Sequence, residues 1–137
     1  MLFSQLFWRT LQYLQQALGR EAVREGAVCT VPGLPAFLEE TYEFATAELH
    51  GQAILVACVK GPQAPPARHM GRHVQQLRER SPRPVILALP QVTPGERRQL
   101  ITHGLAFVVP GSQFYAPRLG MILSERFPAA NQREASV

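Results

Sequence analysis

The chain has 137 residues and 46% apolar content, ordinary for one globular domain with a real core. It carries no run of 18 apolar residues, which excludes a membrane-spanning helix. The opening MLFSQLFWRTLQYL lacks a basic leader and is interrupted by polar residues, which argues against a signal peptide. Formal net charge is +4, with thirteen arginines, a single lysine (Lys60), ten glutamates and no aspartate, so any metal site here does without the short, stiff carboxylate that Mg²⁺ sites favour.

Leu2, Phe3, Leu6, Phe7, Leu11, Leu14 and Leu18 recur at helical spacing, so the chain opens on an amphipathic helix ending near Gly19. One reading packs this helix on the domain core. The other gives it a partner, because Phe3, Phe7, Trp8 and Tyr13 do not fit one narrow stripe. A homodimer through residues 1–19 is therefore expected, with Phe3, Phe7 and Trp8 nearest the partner.

Residues 20–36 are a connector with a short strand around Ala27–Val31. Phe37–Tyr42 reads as one helical turn or as the approach to a strand. Tyr42–Leu49 alternates apolar and polar, and Ala53–Lys60 is almost wholly apolar. A Gly-containing turn between them predicts a hairpin, with the apolar strand nearer the centre of a sheet. The loop from Gly61 to Pro66 leads to a helix over 67–80. Met70, Val74 and Leu77 face inward on it, and Arg68, Arg72, Arg78 and Arg80 face outward, until Pro82 and Pro84 break it.

Val85–Leu89 reads as a strand buried on both faces. Thr93-Pro94-Gly95-Glu96 has the makings of an N-cap, an N1 proline and a capping box, and Gly104 sits where a left-handed C-cap is wanted. Leu105–Val109 is a second buried strand, parallel to the first if both share a sheet. Gln113–Ala116 is a short third strand, and a last helix is expected over Leu119–Phe127. Residues 128–137 read as a flexible tail. The sum is a single three-layer α/β domain over 1–127 with a mixed central sheet.

Few residues carry recognisable chemistry. No phosphate-cradling glycine loop and no nucleophile elbow occurs. Cys29 and Cys58 are too few for a disulfide framework or a zinc site, and Cys58 sits in an apolar run as a core residue would. This usage suits reduced thiols in the cytoplasm. His69 and His73 share a helix face without an evident third ligand, so no metal and no cofactor is expected. The arginines offer phosphate contacts, with Arg68, Arg72, Arg78, Arg97 and Arg98 the candidates for nucleic acid. Codon bias toward Arg over Lys is the bland account of the same composition.

The element order, with a hairpin ending in Lys60, resembles the core of restriction-endonuclease-like domains. In active members an acid, one residue and a lysine end the central hairpin strand, and an earlier acid completes a metal site. Here the tripeptide is Cys58-Val59-Lys60. The earlier acid would be Glu43 or Glu48, and the thiol suits softer metals. This resemblance implies a degraded nuclease site and no cleavage. FLEETYEFATAELHGQAILVACVKG and RPVILALPQVTPGERRQLITHGLAFVVPGSQFYAPRLGMILSER further resemble the N-terminal domain of bacterial MarR-like winged-helix regulators, most specifically over 97–120. That resemblance implies a regulatory role, with DNA contacted directly or through a winged-helix domain for which the ten residues after Phe127 leave no room.

Overall fold

The computed structural model describes residues 4–119, together with the backbone of 121–124. Helix α1 (Gln5–Leu18) is followed by a 3₁₀ turn and strand β1 (Val23–Cys29), then by α2 (Ala36–Thr41) and the hairpin β2 (Tyr42–Leu49) and β3 (Gln52–Val59). Helix α3 (Ala67–Arg80), β4 (Val85–Ala88), α4 (Pro94–Thr102), β5 (Phe107–Val109), β6 (Gln113–Ala116), a second 3₁₀ turn and β7 (Met121–Ser124) complete the order.

The strands form one sheet in the order β1-β2-β3-β4-β5-β6-β7. The pairs β3–β4 and β4–β5 are parallel, and the remaining pairs are antiparallel. A two-residue turn joins the hairpin. It needs positive φ at both central positions, which His50 (51°) and Gly51 (81°) supply.

Alternation along the strands splits the core in two. Leu55, Ala57 and Val59 of β3 join Leu38 of α2, Met70, Val74 and Leu77 of α3 and Leu100 of α4 on one face. Ile54, Val56 and Cys58 join Phe7, Leu11 and Leu14 of α1 on the other. Three helices therefore cover one face of the sheet and α1 covers the second. The capping box that opens α4 is closed from both sides. The Glu96 N–H donates to Thr93 Oγ1 at 3.1 Å and the Thr93 N–H donates to Glu96 Oε1 at 2.8 Å. Such a cap contributes about 1 kcal/mol.

Two expectations are corrected. Part of the stretch expected as the final helix instead forms a 3₁₀ turn (Pro117–Leu119) and β7, which pairs antiparallel with β6. The contiguous apolar run Met121-Ile122-Leu123 suits a strand, and pairing there supplies ladder partners to a β6 edge that a helix would have left open. Residues 120 and 125–127 of that expectation, and the tail expected over 128–137, lie outside the described residues. The second correction concerns Phe7, placed above at a partner surface. It is only 1% exposed, because it points at the sheet and anchors α1 to its own domain.

Candidate functional site

The end of the hairpin holds the residues that a nuclease-like site would use. Glu43 and Cys58 are direct cross-strand partners on β2 and β3, and the alternation turns both toward the α1 side of the sheet. Ser4, the N-cap of α1, sits over them. Its hydroxyl accepts from the Phe7 N–H at 3.0 Å, and its own N–H donates to Glu43 Oε1 at 3.1 Å. The carboxylate thus anchors the helix start, where negative charge is favoured by the helix dipole. Cys58 is 1% exposed, and its thiol is pushed up to about 12 by burial first and by the Glu43 charge second, against a smaller opposing effect of the Ser4 hydrogen bond. At neutral pH it is a protonated core side chain, neither nucleophile nor metal ligand.

Lys60 follows two residues after Cys58 and is exposed. Its Nζ donates to the Glu39 carbonyl of α2 at 2.7 Å, and its N–H donates to the Thr41 carbonyl at 2.9 Å. Glu48 lies toward the other end of β2, opposite Ala53 and Arg24, five residues and roughly 17 Å from Glu43. The structure therefore gathers Glu43, Cys58 and Lys60 at one hairpin end and leaves Glu48 out. Among the described residues no group of three His, Cys or Glu side chains could hold a metal ion together.

His69 and His73 share a flank of α3, but His73 is already engaged. Its Nδ1 is 2.8 Å from the Tyr42 hydroxyl, and the Phe37 and Tyr42 rings meet it edge-on at 5.6 and 5.5 Å. Desolvation, then the charges of His69 and Arg72, holds its pKa below the usual range.

A second candidate lies on the other face of the sheet. Arg68, Arg72 and Arg78 of α3 line an open groove of about 530 Å³, closed on one side by His103 at the end of α4. Gly71, Gln75 and Gln76 complete its α3 wall. Arg80, on the opposite flank of α3, donates from Nε to the Gly33 carbonyl at 2.9 Å and stands 3.6 Å from Glu79. That is the single ion pair among the described residues, so none of the three groove arginines is neutralised by a carboxylate there. Arg97 is spent elsewhere, donating to Gln113 Oε1, and Arg98 is not part of the groove wall. Of the five arginines singled out in the sequence, three converge and two do not.

On α1, Trp8 is 45% exposed while Phe7 is buried, and Phe3 lies outside the described residues. Sequence reasoning missed Gly71, Gln75, Gln76 and His103. The first three were accessible to it, since they fall three, seven and eight positions after Arg68 on one helical face. His103 reaches the groove only through the packing of α4. No helix among the described residues is long and apolar enough to cross a membrane. Comparisons with known protein families, with curated proteins and with solved structures found no match.

Proposed function

We propose that this chain is a non-catalytic regulatory module of a bacterial, cytoplasmic DNA-binding regulator, built on a degraded restriction-endonuclease-like core and related to the N-terminal domains of MarR-like proteins. One observation carries the reading. At the position where an active core needs a metal-binding acid, there is a protonated thiol, 1% exposed, with its cross-strand neighbour Glu43 bonded to the N-cap of α1. Phosphodiester hydrolysis at such a site requires a metal to polarise the phosphate and generate the nucleophile. Glu43 is turned to holding a helix, and Lys60 to holding α2. The order of helix, three-stranded meander, helix and parallel strand supports the nuclease-like ancestry.

The test is cleavage. Purified protein with Mg²⁺ or Mn²⁺ is expected to leave duplex and single-stranded DNA intact. Reproducible cutting that disappears in Lys60→Ala would overturn the reading.

We further propose that the module works as a homodimer through the outer side of α1, centred on Trp8 in place of Phe7. Support comes from Trp8 being 45% exposed on a helix whose other face is fully used by the core, and from the dominance of aromatic anchors in such contacts. Light scattering at micromolar concentration is expected to give a dimer mass that falls to a monomer in Trp8→Glu. A monomer for the unaltered chain rejects the dimer.

A further inference from the structure

The groove on α3 is independent of the hairpin end, because the two lie on opposite faces of the sheet. Its wall has three features. First, Arg68, Arg72 and Arg78 spread positive charge over ten residues, about 15 Å of helix axis, with no ion pair to a carboxylate among the described residues. Guanidinium groups left unpaired at one surface raise the local concentration of anions, and their planar fork suits phosphate oxygens.

Second, the remaining wall holds no Phe, Tyr or Trp. Gln75, Gln76 and His103 offer hydrogen bonds, Leu105 adds a small apolar patch, and the His103 imidazole is the one aromatic ring. Single-stranded nucleic acid is held largely by successive bases stacking on several rings, so a single imidazole favours a ligand whose bases are already paired.

Third, the wall contains Gly71 in the middle of a helix. Glycine is a poor helix former there. No internal contact requires it, since a Cβ at this position meets nothing within 4 Å. A bare stretch of helix backbone between Arg68 and Arg72 gives something outside the chain room for close approach.

We propose that this groove binds the phosphate backbone of duplex nucleic acid, independently of sequence, with Arg68, Arg72 and Arg78 each on a phosphate of one strand and Gly71 admitting the strand between them. The inference goes beyond the regulatory reading above and does not depend on the fate of the hairpin end. Along one strand, phosphates recur every 3.4 Å of duplex axis, so an arginine row of about 15 Å spans about four of them.

The experiment is a fluorescence-anisotropy titration of a 25-base-pair DNA duplex with the full chain, repeated across a salt series. Micromolar binding is expected at physiological salt, with log affinity falling by about 0.9 per neutralised phosphate for each tenfold rise in salt. Reversing Arg68, Arg72 and Arg78 to Glu should reduce affinity at least a hundredfold, and the three Gln replacements should make the salt slope shallower by nearly 3. Reversing the exposed Arg9, Arg20 and Arg24, which lie outside the groove, carries the same change in net charge and should cost only a few-fold. Gly71→Gln leaves the charge unaltered and meets no neighbour at its Cβ, so it should fold with an unchanged or higher melting temperature yet bind at least five-fold more weakly. Equal losses from the two arginine triples would reduce the effect to net charge and overturn the proposal. So would undisturbed binding by Gly71→Gln, or no duplex binding at all.

Discussion

The hairpin end and the α3 groove are opposites in how their polar groups are used. At the hairpin end every group of potential chemistry has an internal occupation. Glu43 accepts from the Ser4 N–H, Cys58 is sealed under α1, and Lys60 donates to the Glu39 carbonyl. In the groove, three guanidinium groups meet no carboxylate among the described residues, and a glycine stands where alanine would make a better helix. Buried polar groups must be satisfied within the fold, so the polar groups at the hairpin end are bound up in the structure. Exposed charges are under no such constraint, since water satisfies them. The difference teaches that the residues most like a catalytic set make structural contacts, and that the arginines without an ion pair among the described residues lie on the other face of the sheet.

The sharpest way to break this comparison is to place an acid at position 58. Cys58→Asp creates an acid, one residue, lysine spacing, and places a carboxylate at a 1% exposed position directly opposite Glu43. An uncompensated buried charge beside a like charge should destabilise by about 3–5 kcal/mol, seen as a lowered midpoint in urea. A Cys58→Asp protein as stable as its parent would mean that the hairpin end is open to ions, contrary to the account. Smaller losses are expected along the same network. Glu43→Ala leaves the Ser4 N–H without its acceptor and Ser4→Ala removes the N-cap, each at about 1 kcal/mol. In the groove, Arg68→Ala or Arg72→Ala should shift stability by no more than about 0.5 kcal/mol, as for exposed side chains without partners.

Much of the fold was legible because local and global signals agreed. Thr93, Pro94 and Glu96 announced α4, Gly104 announced its left-handed end at φ 70°, and Met70, Val74 and Leu77 announced the inner face of α3. Failures came where tertiary pairing decided. Met121-Ile122-Leu123 fits a helix or a strand by pattern, and the neighbouring β6 edge selects the strand. Phe7 and Trp8 are adjacent aromatics on one helix, and only the position of the sheet determines which is buried. The candidate site was half legible: the spacing of Arg68 and Arg72 is helical arithmetic, whereas the engagement of Arg97 by Gln113 and the arrival of His103 depend on contacts between distant segments.

Titration distinguishes the regions further. With its pKa raised to about 12 from the ordinary 9.0, the Cys58 thiol contributes stability that is complete below pH 9 and is lost as pH climbs from 9 toward 12. Iodoacetamide at pH 8 should therefore alkylate the half-buried Cys29 first and leave Cys58 intact until the protein unfolds, as mass spectrometry of digested protein would report. The smallest effect is expected at His73. Its lowered pKa means that stability present above pH 6.5 is lost as pH falls through the depressed value. The melting temperature should decline below pH 6.5, and His73→Phe should flatten that decline.

The contrast between an occupied hairpin end and an unused groove is tested most directly by incubating an end-labelled DNA duplex with the protein and Mn²⁺ and reading strand length on a denaturing gel. Strands of full length are expected at every protein concentration, with the same result for Lys60→Ala. Shortened strands that require Lys60 would contradict that contrast, because the hairpin end would then be catalysing the reaction for which its carboxylate and lysine are here already spoken for.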